Sequence, residues 1–582
     1  MSAVAELDDG QRAVVEVAAD ERQVVVAPPG AGKTETAAAL VAHLLGEEAV
    51  DPEALLVISF SRAAVQAVDA RLAGTDSPLP DVRTLDSLAR RIVLECDVEV
   101  PATFDRVVAE AARCVATGLW DGVEDIEHLV VDEAQDVVGH RADLLLALVE
   151  GLHADAGFTL LGDPAQAIYD FQLREEKRDR VREPVMALVS ARDGVRVERL
   201  TGSYRGRTPS ARRAVALRAG YQDDLSDATG VDEHVEDLVD IGDLEGLSTL
   251  LPRWRGTTAV LTEDNGQALL VHGELSNAGF RPSLRRPVGT TGLAIWVARL
   301  LATLHSRTLD RQAFEAALPD VAPDVVEARW AALRRTSRAR ASTVDVGDLV
   351  TRLRASPVFP PALVGGEENP LVVSTVHRAK GLEFDNVVVV RARRPRVRDD
   401  ESPGYRRRTS YVAVTRARDT VAQVRGVVDW NCRKESGSSR WYRTGPKPWQ
   451  TTGFQVGETD VSREAPPQDV DVVLRHVVER VQPGDPVEMS LERRRSSLEV
   501  PVYTLVHDGV TIGETSPTFG EALAHRLRPA SRRTGVAWPA LSGARVATVE
   551  TVLGEPLKDT DARWGARAGV TLVGMLDLDW KG

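Results

Sequence analysis

Three groups of residues in this 582-residue chain have the types and spacing to act on a phosphate ester. The run Val24-Val25-Val26-Ala27-Pro28-Pro29-Gly30-Ala31-Gly32-Lys33-Thr34 sets a β-branched stretch before a glycine-rich turn that ends in lysine and a hydroxyl. Such a turn wraps phosphate oxygens in backbone N–H groups, while the lysine adds charge and the hydroxyl can ligate Mg²⁺. Ala27 stands where the first glycine of the pattern is usual, at a point where the turn only begins. A second apolar run, residues 128–131, ends in Asp132-Glu133-Ala134-Gln135-Asp136. Two carboxylates at a strand tip suit a division of labour, Asp132 holding the cation and Glu133 polarising the attacking water. A third run, 158–161, leads into Gly162-Asp163-Pro164-Ala165-Gln166-Ala167-Ile168-Tyr169-Asp170-Phe171. Gln166 can hydrogen-bond a γ-phosphate without changing its own charge, and Tyr169 and Phe171 offer rings on which nucleobases stack.

Convergence of these groups calls for parallel strands joined by helices, because ligands of such sheets bind outside the carboxyl ends of the strands. Residues 24–27, 55–59, 128–131 and 158–161 read as four buried strands, each followed at once by polar residues. A second alternating region opens at 257–261 and resumes at 371–374 and 387–390, with an arginine-rich, mostly helical insertion over 291–355. The acidic stretch 221–240 reads as a solvated helix or connector. Residues 431–464 break into Gly, Ser, Pro and Trp and read as a linker. Beyond it, Val500-Pro501-Val502-Tyr503-Thr504-Leu505-Val506, the turn His507-Asp508-Gly509 and Val510-Thr511-Ile512-Gly513 predict a β-hairpin within a β-rich module.

The formal net charge of −15 argues against a wholly basic, nucleic-acid-coating surface, so any such contact is local. Arginine clusters at 391–398, 406–408 and 493–495 could serve it, although solvated faces are the simpler reading. Seven of the 72 basic residues are lysines, which draws attention to Lys33 and Lys380. Three cysteines, Cys96, Cys114 and Cys432, are too few and scattered for a disulfide framework or a zinc site. No apolar run approaches the roughly 18 residues of a membrane span, and the acidic N-terminus lacks the features of a signal peptide, so a cytoplasmic protein is expected.

With these motifs in order, the chain resembles the superfamily 1 DNA helicases of the UvrD/Rep/PcrA group over most of its first 420 residues. Residues 7–11 resemble the Q motif, which implies that Gln11 reads the adenine edge. Ser59-Phe60-Ser61-Arg62-Ala63-Ala64 and Thr84-Leu85-Asp86-Ser87-Leu88-Ala89 resemble motifs Ia and Ib, which line a single-strand track. Residues 162–171 resemble motif III. Ser203-Tyr204-Arg205 resembles motif IV, with Tyr204 against the adenine and Arg205 on the γ-phosphate. Thr375-Val376-His377-Arg378-Ala379-Lys380-Gly381-Leu382-Glu383-Phe384 resembles motif V, and Tyr411-Val412-Ala413-Val414-Thr415-Arg416-Ala417-Arg418 resembles motif VI.

The resemblance implies an α/β fold of two RecA-like P-loop NTPase domains with parallel sheets and short helical insertions, plus a C-terminal β-rich module. The expected boundaries are 1–250 for the first domain with a short insertion near 90–127, and 251–430 for the second with a helical insertion near 290–360. A linker over 431–486 and a small β-rich domain over 487–582 complete the expectation. It implies ATP and Mg²⁺ as cofactors, with Lys33, Asp132, Glu133, Gln166, Arg205 and Arg416 catalytic and Arg416 an arginine finger from the second domain. Gln11, residues 27–35 including Glu35, Tyr204, Gly381 and Glu383 would hold the nucleotide, and Thr34 and Asp132 the metal. Phe60, Arg62, Thr84, Tyr169, Phe171, Thr375 and His377 would contact DNA. Glu35, Ala63 and Asp86 depart from the family pattern, each removing basic or neutral polar character.

The expected function is ATP-dependent 3′–5′ translocation on single-stranded or tailed duplex DNA, in repair, recombination or phage defence. The alternative is a DNA-stimulated ATPase that serves a nuclease or RNA polymerase complex, with a protein partner on the C-terminal module. Asp577, Asp579 and Lys581 resemble part of a RecB-like nuclease site, but a binding module is the favoured reading of that end.

Overall fold

The computed structural model describes residues 6–58, 80–169, 184–218, 228–285, 292–318, 321–337, 343–355, 359–365, 369–391, 403–427, 431–447, 450–464, 469–497, 499–534, 538–558 and 560–580. The chain divides into two compact units. The first comprises Met1–Val239, Ala379–Val387 and Arg396–Ala422, and the second Asp240–Arg378, Val388–Pro395 and Gln423–Gly582.

The first unit is built on strands β1 (Arg22–Val26), β2 (Leu55–Ile58), β3 (Asp81–Arg83), β4 (His128–Val131), β5 (Gly157–Gly162) and β6 (Arg196–Arg199). They lie in the order β3-β2-β4-β5-β1-β6, with every recorded pairing parallel. The central strands are continuous apolar runs because both faces are covered. Val24, Val26, Leu129, Val131, Phe158 and Leu160 meet the helices Leu85–Glu95, Phe104–Ala116 and Gly139–Gly151 on one face. Val25, Leu55, Val57, Val130 and Leu161 meet the helix Lys33–Gly46 on the other. Helix Phe104–Ala116, within the expected 90–127 insertion, shares this core and the Trp120 indole donates to Glu95 at 2.8 Å, so that segment is an integral layer. Of the acidic stretch 221–240, the described part forms the helix Thr229–Glu236, whose Val231 is buried beside Tyr411.

The second six-stranded sheet contains β7 (Val239–Asp240), β8 (Thr258–Thr262) and β9 (Ser283–Leu284). After β10 (Leu293–Ala294), β11 (Thr308–Leu309) and β12 (Val344–Asp345), it is completed by β13 (Leu371–Thr375), β14 (Phe384–Arg391) and β15 (Ala417–Arg425). Its order is β7-β15-β14-β8-β13-β9, and β13 pairs parallel with β8 and β9. The chain passes between the two units inside β14 and again inside β15.

The rest of the second unit corrects two expected boundaries. Residues 431–486, read as a linker, contain β16 (Cys432–Lys434), β17 (Trp441–Thr444), β18 (Thr451–Val456) and the helix Val470–Arg480. These strands belong to one antiparallel sheet with β19 (Pro486–Leu491), β20 (Tyr503–His507), β21 (Val510–Glu514), β22 (Ala540–Leu553) and β23 (Ala566–Asp579). Gly437, Gly445, Pro446 and Gly457 lie between the strands, Gly453 stands within β18, and long β23 recruits β18 as a neighbour. The predicted hairpin is present: β20 and β21 are joined at Asp508 and Gly509, with φ of 47° and 76°, the left-handed pair that a tight hairpin turn needs. The helical insertion belongs to the same body. Its β10 pairs with β22, and Trp296, Phe314, Trp330 and Leu349 share a core with Ala566 at the start of β23.

Candidate nucleotide-hydrolysis site

The strand order decides the site. With β5 between β1 and β4, the loops after all three open on one edge, so the glycine-rich turn, the Asp132-Glu133 pair and the Asp163–Gln166 turn become neighbours. Gly30 and Gly32 both have φ of 78°, a conformation that residues with a Cβ adopt at a cost. A Cβ on Gly30 would also come within 2.6 Å of the Arg205 Cβ, and one on Gly32 would strike the Gln11 amide. The turn is therefore held from two sides. Gln11 donates to the Ala31 carbonyl at 3.1 Å while its own oxygen accepts from the Asp8 amide at 3.0 Å, and the Tyr204 amide donates to the Gly30 carbonyl at 2.7 Å. Gln11 and Asp8 also form the capping box that starts helix Asp9–Val15, and the Tyr204 hydroxyl donates to Asp8. The Tyr204 ring is 58% exposed and free to face a base.

Lys33 and Glu133 lie 2.7 Å apart in a buried pair, and Gln135 donates to the same Glu133 oxygen at 2.5 Å. Burial alone would raise the Glu133 pKa, but the ammonium groups of Lys33 and then Lys380 pull it down to about 2, so it is a carboxylate. Burial would depress Lys33; the carboxylates of Glu133 and Asp132 outweigh it and raise its pKa. Asp132 takes the opposite course to Glu133: burial first, then the adjacent Glu133 charge, push it up to about 7. Its Oδ1 accepts from the Glu133 amide at 2.9 Å, whereas its buried Oδ2 has no hydrogen-bond partner. Glu133 itself has φ of 55°, a left-handed backbone that is uncommon for a residue with a Cβ.

Gln166 sits beneath this pair, buried, with its amide nitrogen on Asp163 at 2.8 Å and its oxygen accepting from Arg416 at 2.6 Å. Asp163 is held in turn by Arg218 at 2.8 Å and by its own amide on Gln135 at 2.9 Å. Arg416 is 2% exposed and anchored on the Val412 carbonyl, and burial together with Arg205 lowers its pKa to about 10, still well above neutrality. Arg205 reaches Glu383 at 2.6 Å and the Thr415 carbonyl at 2.9 Å, and Arg418 holds the second Glu383 oxygen at 3.1 Å. The segments expected from a second domain, with Gly381, Glu383 and Arg416, thus group with the phosphate loop in one compact unit. Of these, Glu383 is joined to Arg205 and Arg416 to Gln166, which ties both segments to the strand-tip edge.

The DNA set is less gathered. Phe60, Arg62 and Phe171 lie outside the described residues, as do Ala63 and most of the 391–398 arginine cluster. Thr84 caps helix Leu85–Glu95 by accepting from the Ser87 amide at 3.2 Å. Thr375 is buried with its hydroxyl on the Arg378 amide at 3.4 Å, and it belongs with His377 to the second unit, whereas Tyr169 belongs to the first. Asp86, a departure from the family pattern, has a structural partner in Arg141 at 2.7 Å. Sequence reasoning passed over Asp8, Gln135, Asp163 and Arg218, which carry no phosphate chemistry but fix the residues that do. Only the first three stand inside or beside a motif, which is the one signal that could have found them. Asp577 pairs with Arg443, and Lys581 lies outside the described residues; among the described residues no group of three or more His, Cys, Asp or Glu side chains could hold a metal.

Residues 11–172 match the family model described as an AAA domain, and residues 370–422 match that of the UvrD-like helicase C-terminal domain. The two matches cover most of the residues that form the site, and they support an ATP-hydrolysing enzyme with helicase-like domains. No curated protein matches. Among solved structures the chain is similar to the Pif1 helicase from Candida albicans, at 11% identity over 72% of this chain and 95% of that one, TM-score 0.35. It is similar to a Pif1 helicase from Bacteroides in complex with ADP-AlF3 and ssDNA, at 12% identity over 72% and 92%, TM-score 0.33. It is also similar to the helicase MrfA bound to DNA, at 11% identity over 73% of this chain and 49% of that one, TM-score 0.32. Among the described residues no helix is long and apolar enough to cross a membrane.

Proposed function

We propose that the chain is an ATP-driven, UvrD-type translocase on single-stranded DNA that unwinds tailed duplexes with 3′–5′ polarity, in repair, recombination or defence against phage. The observation that carries the reading is the contact between Gln166 and Arg416, 2.6 Å apart and both buried, beside the Lys33–Glu133 pair. Charge grows on the γ-phosphoryl oxygens during transfer, so cations poised on the rim of the loop lower the barrier. In this reading Lys33, Arg205 and Arg416 bind the triphosphate, Glu133 accepts a proton from the attacking water, and Gln166 exchanges Arg416 for a phosphate oxygen. Gln11, Tyr204, Gly381 and Glu383 line the nucleoside, with the exposed Tyr204 ring stacking on the base.

Thr34 and Asp132 fit a Mg²⁺ ion, since the unpartnered, buried Asp132 Oδ2 is the kind of oxygen a hard cation satisfies. The ion would neutralise phosphate charge when bound. Within the first unit, Thr84 and Tyr169 would contact DNA, and the family resemblance adds Phe60, Arg62, Phe171, Thr375 and His377 as contact residues. Polarity rests on the family resemblance alone.

A second reading keeps the ATPase but makes it the regulatory partner of a nuclease or polymerase complex. It is favoured by one observation: the helical insertion is fused to the nine-stranded sheet through β10, β22 and the shared core, giving a rigid platform for a protein. ATPase rates with and without single-stranded DNA, followed by unwinding of duplexes with 3′ or 5′ tails, test both. Stimulation with 3′-tail unwinding is expected; ATPase indifferent to DNA overturns the translocase reading, and stimulation without unwinding selects the second.

A further inference from the structure

Lys380 is given no phosphate contact in the reading above, although its charge helps keep Glu133 ionised, and its own partners extend beyond that carboxylate. It is 5% exposed. Its ammonium donates to the Asp136 carboxylate and to the main-chain carbonyl of Gln166, and it stands 5.4 Å from the centre of the Tyr169 ring. A lysine ammonium has three N–H donors and no acceptor, so two bonds and a ring face account for all of them.

These partners are not equivalent. Asp136 closes the short turn that begins at Asp132 and Glu133. Gln166 is the residue whose side chain holds Arg416, and Tyr169 follows three positions later on the same backbone. Three residues beyond Lys380 itself, Glu383 holds Arg205. One buried charge therefore touches the carboxylate turn, the backbone of the phosphate-facing glutamine and an aromatic ring.

We propose that Lys380 is the positioning residue that transmits the state of the nucleotide site to Tyr169, and through it to bound DNA. When the Gln166 side chain exchanges Arg416 for a phosphate oxygen, its peptide unit moves, and the carbonyl on that unit is an acceptor for Lys380. A buried ammonium that loses one partner bears the desolvation cost of that group, so it follows its acceptors. Movement of Lys380 along Asp136 slides the charge across the Tyr169 ring and re-aims the ring. The inference rests on the DNA-stimulated ATPase reading above.

The test compares the full chain with Lys380→Met and with the double variant Lys380→Met/Asp136→Asn. The double variant leaves no unpaired buried carboxylate, and it carries the test if the single variant fails to fold by circular dichroism. For each, kcat and KM for ATP are measured without DNA and with saturating oligo-dT, and the Kd for oligo-dT is measured with and without a non-hydrolysable ATP analogue. The expected result is at least about a tenfold loss of DNA stimulation, read as the ratio of DNA-stimulated to DNA-free kcat within each variant, over and above the fall in DNA-free kcat that follows from losing the Lys380 charge beside Glu133. The effect of the analogue on oligo-dT affinity should be lost by the same factor, because coupling of binding is reciprocal. Unchanged stimulation overturns the inference, as does an equal fall in DNA-free and DNA-stimulated rates, which would place Lys380 in the chemistry or the fold. A parent protein that ignores DNA overturns the functional reading and the coupling with it, so the parent arm and the variant arm separate the two failures.

Discussion

Two arginines, Arg416 at the nucleotide site and Arg440 on the nine-stranded sheet, are held in different ways. Around the phosphate loop, the groups that would meet the γ-phosphate lean on residues far away in sequence, as Gln166 leans on Arg416 and Arg205 on Glu383. In the second unit Arg440 closes a nearer loop, gripping both oxygens of Asp460 at 2.7 and 2.9 Å, twenty residues on, against the rings of Phe454 and Phe519. Arrangements of the first kind can be re-formed when a ligand offers new partners, whereas those of the second kind only hold a shape. Parallel strands favour the first because their loops meet at one edge, and an antiparallel sheet covered by helices favours the second.

The largest effect should fall on the first region without unfolding it. Arg416→Ala is expected to lower kcat about 10³-fold or more, with a thermal midpoint close to that of the parent by calorimetry. A collapse of the fold would place Arg416 with Arg440, as a scaffold residue, and break the contrast. Asp460→Ala should do the reverse. It strands a buried guanidinium and should cost about 3–5 kcal/mol in urea unfolding of the second unit, with the ATPase rate retained below the transition.

One buried histidine in each unit should respond to acid alike, whereas the raised carboxyl of Asp132 acts in the opposite sense at the nucleotide site alone. Burial lowers the pKa of His128 in the first unit and of His272 in the second from 6.5 to about 4. The unfolded state takes up these protons below pH 6.5 and the folded state resists them until about pH 4. The contribution of each histidine is therefore fully present above pH 6.5 and is lost as pH falls towards 4, by roughly 3 kcal/mol per histidine. His128→Gln should flatten that slope for the first unit alone in urea titrations between pH 7 and 4.5. The smallest effect is expected from Asp86→Ala. Its partly exposed pair with Arg141 should be worth under about 1 kcal/mol by thermal melting, and a larger loss would make it part of the site's support.

Much of the first unit was legible in the sequence. Strands 24–27, 55–59, 128–131 and 158–161 stand within a residue or two of β1, β2, β4 and β5, because a strand buried on both faces must be apolar throughout. The hairpin at Asp508-Gly509 was legible for a local reason as well, since two left-handed residues in a row leave few choices. The strands at 432–456 were missed because short antiparallel strands with Gly and Pro in their turns look like coil until a partner such as β23 is present.

The residues competent for phosphate chemistry were thus determined by the sequence, since charge, hydroxyl and glycine at fixed spacing are local properties. Only the tertiary structure decided which of them lean on one another. The strand order that sets β5 between β1 and β4, the return of residues 379–422 to the first unit and the burial of Lys380 against Asp136 and Gln166 are long-range pairings. Their stability comes from surfaces removed from water together, and no stretch of the chain carries that alone.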